Sequence, residues 1–276
     1  MKNWSWIYRR PNAYIGAGLL CVVLGIAVLG VFYTPYDPLA MDFRARLSSG
    51  GEGHMLGTDQ FGRDVLSRIM AAAGVSVSVS LLTVVFALFF GTLIGAVTGY
   101  LGGWFDRIVM TFMDAFMAFP GILLALAIMA IMGPNKYGVV LALGLAYTPN
   151  VVRVVRGTVF SLREKEYVEA SIALGNSELY TILRHIVPNC ISPLTVLGSS
   201  IFGGALLSES ALSFLGLGVP PPDPSWGGML ADGRQYLATA PWLVYYPGMA
   251  ISLTLLGINL FGDALRDKFD PRMNQL

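Results

Sequence analysis

The long stretches of this chain with no Asp, Glu, Lys or Arg are residues 11–36, 69–105, 115–135, 137–152, 185–208 and 235–262. A helix needs about 20 apolar residues to cross the hydrocarbon layer of a bilayer, and only a helix or a closed barrel satisfies its own backbone there. Five of the runs are long enough alone. The run 137–152 reaches the required length once Lys136 and Arg153 at its ends extend their stems to the interface. Charged residues make up 13% of the 276 positions, about half the roughly 25% of an ordinary soluble domain. The expected fold is therefore all-α, a polytopic membrane protein with six transmembrane helices near 13–33, 76–100, 108–132, 138–155, 190–216 and 243–264.

The first apolar stretch, Ala13 to Phe32, is longer than the core of a secretory signal peptide, and no small-residue cleavage site follows it before the turn at Tyr33–Pro38. It is expected to stay as a membrane span. Cys21 and Cys190 lie in or beside predicted spans, so buried free thiols are expected rather than a disulfide framework. A net charge of +1 without a basic cluster offers nothing to nucleic acid.

Orientation follows from the basic residues. With the N-terminus inside, the inner segments hold 12 of the 18 Lys and Arg residues, among them Arg107, Arg153, Arg156, Arg163, Lys165 and Arg184. The other 6 are Arg44, Arg46, Arg63, Arg68, Lys136 and Arg234. This bias puts both termini in the cytoplasm. The chain then divides into a cytoplasmic tail (1–12), a first span (13–33), an extracytoplasmic segment (34–75), a five-helix core (76–265) and a second cytoplasmic tail (266–276). The core carries a cytoplasmic loop at 156–189 and an extracytoplasmic loop at 217–242. Within 34–75, a short interfacial helix is expected from Asp64 to Ala73.

The cytoplasmic loop contains EKEYVEASIALGNSELYTILRHIVP, residues 164–188. Ser161 can cap a helix running through Ala173, with Glu164 three residues on as its capping-box partner. Gly175 suits the left-handed residue that ends such a helix, and Ser177 can cap a second one from Glu178 to about Ile186, before Pro188. Leu174, Leu179, Tyr180, Ile182 and Leu183 give the pair an apolar side with no lipid to face. A solvated surface loop would explain the charges of this segment. It would not explain those apolar residues, and a docking surface for another protein does.

Glu169, Ala170 and Ser171, then Gly175 four residues after Ser171, then Pro188 thirteen after the glycine, keep the spacing of a known motif. The segment resembles the EAA loop of ABC importer permeases, with Ser171 at the third Ala position, His185 at an Ile position and Val187 at a Leu position. The stretches LGTDQFGRDVLSR (56–68), FDRIVMTFMDAFMAFPGILLA (105–125), SESALSFLGLGVPPPDPSWGGML (208–230) and NLFGDALRDKFDPR (259–272) resemble the second permease of dipeptide, oligopeptide, glutathione and nickel importers. The resemblance implies that Glu169, Ala170, Ser171, Gly175, Leu179 and Pro188 form the coupling element seated in an ATP-binding subunit. It further implies a second homologous permease, two cytoplasmic ABC subunits that bind ATP and Mg, and an extracytoplasmic substrate-binding protein. Localisation in the bacterial inner membrane is part of the same expectation.

Other residues stand out on physical grounds. Asp114 and Glu209 are acidic groups expected at membrane depth, where charge is costly; each either makes structural hydrogen bonds or lines a translocation path. Pro120 is expected to kink the third span, because its ring removes a backbone hydrogen bond. Gly91, Gly95 and Gly99 form a small-residue stripe for close helix approach, within the chain or against a partner. In the outer loop, Trp226, Tyr236 and Trp242 read as an aromatic belt, or, with Asp223, as a surface for the binding protein.

No enzyme constellation competes. The two histidines, His54 and His185, fall on opposite sides of the membrane, and no Gly-Lys pair exists to build a nucleotide-binding loop. The chain is expected to be a non-catalytic subunit. The alternative class, an ion-coupled secondary transporter, would rest on Glu209 and Asp114 alone, with no internal repeat to support it.

Overall fold

The computed structural model describes residues 11–51 and 53–269. The predicted tails, with Lys2, Arg9, Arg10 and Arg272, lie wholly or largely outside the described residues. Among the described residues there is no strand, only an isolated bridge between Thr58 and Asp64. Among the described residues, five helices are long and apolar enough to cross a membrane, and a pair bent by 86° makes six if it counts as one broken span.

Helix α1 is Pro11–Phe32. Helix α2, Val65–Leu101, runs for 37 residues, about 55 Å at 1.5 Å per residue. The separate interfacial helix expected at 64–73 is absorbed into it. Asp64 is the N-cap, its carboxylate accepting the Ser67 N–H at 2.8 Å, and no proline interrupts the ladder between Val65 and Ser76.

The third crossing is broken. Helix α3, Gly103–Met117, and helix α4, Gly121–Met132, meet at an angle of 86°. Pro120 therefore does not kink a continuous helix. It stands between the two as the N-cap of α4 (φ −54°, ψ 127°), its carbonyl accepting the N–H groups of Leu123 and Leu124. A proline biases the residue before it away from helical geometry, so the chain turns here. Helix α4 has 12 residues, about 18 Å, against a hydrocarbon layer of about 30 Å, and reaches only part of the way across.

Helix α5, Lys136–Arg163, lies along α2. A Cβ placed on Gly91 would sit 2.4 Å from the Val151 Cβ, and one on Gly95 would sit 2.8 Å from the Val152 carbonyl oxygen. A Cβ on Gly99 would sit 2.9 Å from the Val159 Cβ. The glycine stripe is thus spent inside the chain. Valines of α5 fill the space the glycines leave, and Val151, Val155 and Val159 join an inner core with Ala96, Val168, Ile182 and Ile186.

After α5 come α6, Glu166–Ala173, and the short α7, Glu178–Thr181. Ser161 lies inside α5 and caps nothing; Lys165 holds the cap position of α6 without a side-chain bond. Nor does Pro188 end the element begun by α7. A π-turn (Ile182–Ile186) and a 3-10 turn (Val187–Cys190) with Pro188 in its first turn lead straight into α8, Ile191–Phe214. A proline is tolerated where its missing N–H is not called upon. Cys190 is buried and Cys21 is exposed on α1; both are free thiols. Helices α9, Trp226–Gly233, and α10, Trp242–Phe269, complete the chain.

The two segments expected outside interlock at one end of the bundle. The indole N–H of Trp242 donates to the Thr58 carbonyl at 3.1 Å. Asp59 bonds Arg63 at 2.6 Å and lies 3.5 Å from Arg68, while Asp232 of α9 stands 3.9 Å from both arginines. His54 Nδ1 sits 2.9 Å from Asp64.

Trp226 contradicts its sequence reading. It is 2% exposed, its indole N–H donating to the Ile69 carbonyl and its backbone N–H to Ser76 Oγ, both at 3.2 Å. It is neither a belt residue nor a rim contact. It pins α9 onto α2 among Val65, Ala72, Ala73, Val77 and Leu206. Removing a buried Trp side chain costs about 3–5 kcal/mol. Trp226→Ala is therefore expected to lower the thermal midpoint of the detergent-solubilised protein clearly below that of Trp226→Phe, which keeps most of the packing.

Candidate functional site

The segment 164–190 lies at the end of the bundle opposite the interlocked outer segments. Helix α2 begins among the latter at Val65 and ends beside Arg156 and Arg163 at Gly99 and Gly102. Helices α6 and α7 fold back on each other through Ser171, whose Oγ is 3.0 Å from Thr181 Oγ1 and accepts from Asn176 Nδ2 at 3.2 Å. Ser171 and Thr181 are both buried. A third Ala could not make this link, so the departure from Ala at 171 has a structural use.

Gly175 ends α6 with φ +81°, a left-handed backbone, and its N–H bonds the Ile172 carbonyl at 2.9 Å. Ser177 then caps α7 by accepting the Tyr180 N–H at 3.3 Å. Both features match the sequence reading. Leu174 is 82% exposed and Leu179 66%, and Tyr180 and Leu183 are exposed beside them. Ile182, expected on the same side, is instead buried in the inner core. The exposed face gains a residue the sequence reading missed, Ile172. Its only signal is its place two residues before Leu174 in a stretch read mainly for its motif.

Glu169 and Ala170 are exposed on α6, with Glu169 in its first turn, where a negative charge favours the helix dipole. Pro188 is exposed at the junction with α8. His185 packs near the rings of Tyr180 (5.8 Å) and Tyr167 (6.4 Å), and its carbonyl accepts from Asn189. The arrangement presents apolar side chains, the Glu169 carboxylate and a glycine turn on two short helices stapled from within.

The other sequence candidates separate. Asp114 is exposed on α3 and paired with Arg153 at 2.7 Å. A neighbouring pair, Asp106 with Arg156, is bidentate at 2.5 and 2.6 Å and partly buried, tying α3 to α5. Glu209 is fully buried within this single chain; Ser213 Oγ donates to it at 2.8 Å, and Ser76, Ser210 and Ser225 surround it. Its other carboxylate oxygen, Oε2, is buried without a hydrogen-bond partner among the described residues. Asp223 is exposed in the outer loop.

Residues 91–275 match the family described as "Binding-protein-dependent transport system inner membrane component". A provisionally named peptide transport system permease of Brucella suis is 44% identical over 97% of this chain and 90% of its own length. The dipeptide transport system permease protein DppC of Alkalihalophilus pseudofirmus is 41% identical over 96% of this chain and 87% of its own. The glutathione transport system permease protein GsiD of Pectobacterium atrosepticum is 38% identical over 96% and 89%. With five apolar spans and a bent pair, a helix–glycine–helix element at one end and family similarity across two-thirds of its length, the chain belongs to the inner-membrane permeases of binding-protein-dependent ABC importers.

Proposed function

We propose that this chain forms one half of a peptide-conducting pore and converts ATP-driven closure of its partners into a change of access. The carrying observation is the pair α6–α7. Its exposed Ile172, Leu174, Leu179 and Leu183 are apolar groups at a membrane-external turn, and a partner protein is what would remove them from water. Glu169, Ala170, Ser171, Gly175, Leu179 and Pro188 then belong to the coupling element. The partners are a second homologous permease, two cytoplasmic ABC subunits holding ATP and Mg, and a binding protein that delivers substrate outside.

Orientation follows the positive-inside bias, with 164–190 in the cytoplasm and both termini there too. Asp223, exposed where Trp226 is not, is the surviving candidate for contact with the binding protein. The substrate class rests on the relatives named for peptide and glutathione transport. An ion-coupled carrier would rest on Glu209 and Asp114; Asp114 is exposed and paired with Arg153, and Glu209 is buried within the chain and bonded by Ser213.

The test is reconstitution. The permease pair, the ABC subunits and the binding protein, placed in liposomes, should take up alanine peptides of two to five residues only with ATP. In the same preparation, Cys substituted for Arg163 should react from the cytoplasmic side and Cys substituted for Leu237, exposed in the outer loop, from the other. Uptake that follows an ion gradient without ATP would sink the proposal, and reversed labelling would sink the orientation.

A further inference from the structure

The break in the third crossing opens a cavity of about 300 Å³ between four helices. Its walls are Phe116 and Met117 from the end of α3, Phe119, Gly121 and Ile122 at the break and the start of α4, Ala146, Tyr147 and Asn150 from α5, and Ser208 from α8. Asn150 lies fourteen residues after Lys136 and thirteen before Arg163, so each end of α5 is roughly 20 Å away. The expected span, 138–155, ends nearer to Asn150: Tyr147 and Ser208 lie well inside their spans and Asn150 one turn from Arg153, so the cavity extends from mid-membrane toward the inner end of α5.

Asn150 is exposed there. An amide inside the expected span that faced hydrocarbon would lose hydrogen bonds that nothing repays, so an exposed Asn there points to water or to a polar ligand. Beside it, the Tyr147 hydroxyl lies 3.3 Å from Ser208 Oγ, an interaction at the long end of O–H···O bonds that leaves both oxygens capacity for a further partner. Gly204 permits this pose, because a Cβ there would sit 2.6 Å from the Tyr147 hydroxyl. The lining thus combines uncharged donors and acceptors with two phenylalanine rings.

We propose that this cavity is a transient binding site for the main chain of the transported peptide, with Asn150, Tyr147 and Ser208 bonding peptide groups and Phe116 and Phe119 receiving apolar side chains. The proposal rests on the peptide reading above and deepens it. Its chemistry selects against a bare metal ion: no carboxylate, imidazole or thiolate lines the cavity. A peptide main chain asks for what is present, neutral hydrogen bonds in both senses. Their number is small, which lets the substrate leave as readily as it enters.

The experiment uses the complete reconstituted complex with Cys21 and Cys190 replaced and a single Asn150→Cys substitution, probed with a small, charged, membrane-impermeant thiol reagent. Cys at position 150 is expected to react, and its rate to fall at least several-fold when alanine peptides, loaded binding protein and ATP are present. Leu141→Cys, exposed on the same helix, serves as the control and should show no such protection. Asn150→Leu should cut peptide uptake tenfold or more, and Asn150→Gln should restore most of it. Should position 150 stay unreactive, or react without protection while uptake proceeds, the cavity is a permease–permease contact and the proposal fails alone. Absence of any peptide uptake by the wild-type complex would instead remove the peptide reading itself.

Discussion

Gly175→Asp is expected to abolish uptake while the chain remains inserted and assembled. At φ +81° a residue with a β-carbon costs about 1–2 kcal/mol, and Asp is among those that tolerate it best. No atom lies within 4 Å of where its Cβ would stand, so the fold has room for it. The loss comes from outside the chain. A carboxylate between Leu174 and Leu179 must be desolvated whenever the loop docks, and each 1.4 kcal/mol lost there weakens docking about tenfold. Uptake should fall below a tenth of the wild-type rate, as it should for Glu169→Lys. Uptake and ATP hydrolysis measured on membranes of matched permease content decide the matter, and wild-type uptake by Gly175→Asp would remove this loop as the coupling element.

The second large effect lies in the membrane. Gly95→Val should leave little folded protein, because its side chain would be forced into the backbone of α5, 2.8 Å from the Val152 oxygen at the Cβ alone. Overpacking costs about 1–3 kcal/mol where side chains can yield, and a neighbouring backbone yields less. Combining it with Gly91→Val should empty the membrane of the permease, as read by immunoblot of washed membranes. Gly18→Val, where the structure leaves open space, should accumulate normally. Equal accumulation of Gly95→Val and Gly18→Val would mean that α2 and α5 do not pack along this stripe.

These contrasts show where the sequence was readable. Apolar length located the five long spans and the stretch of the bent pair, since the bilayer imposes a length rule that needs no knowledge of neighbours. Local backbone chemistry was equally plain: the left-handed Gly175 and the Ser177 cap depend on a few adjacent residues. What depended on distant partners was not. The burial of Trp226 requires Ile69 and Ser76, about 150 positions away, and the same ring would suit an interface belt equally well. Whether the glycine stripe served this chain or another could only be settled by seeing valines opposite it. Pro120 has the expected location and a different consequence, because a proline can bend a helix or separate two, and here α3 ends at Met117 before α4 starts at Gly121. Ser161 misled for a simpler reason: a capping residue has no effect inside a helix that does not stop.

The uninterrupted passage from α7 through the π-turn into α8 has a mechanical meaning. Leu179, on the docking face, and Ser208, on the cavity wall, are 29 residues apart on one continuous helical strut, roughly 43 Å at 1.5 Å per residue. The π-turn and the 3-10 turn with Pro188 are the joint of this strut, so a push at Leu179 is passed to Ser208 as a tilt of Ile191–Phe214 about that point. On the reading proposed here, no relay of side chains is needed between ATP-binding partner and substrate. The two lie on opposite ends of the same lever, with the glycine-lined seam between α2 and α5 as the stationary block beside it.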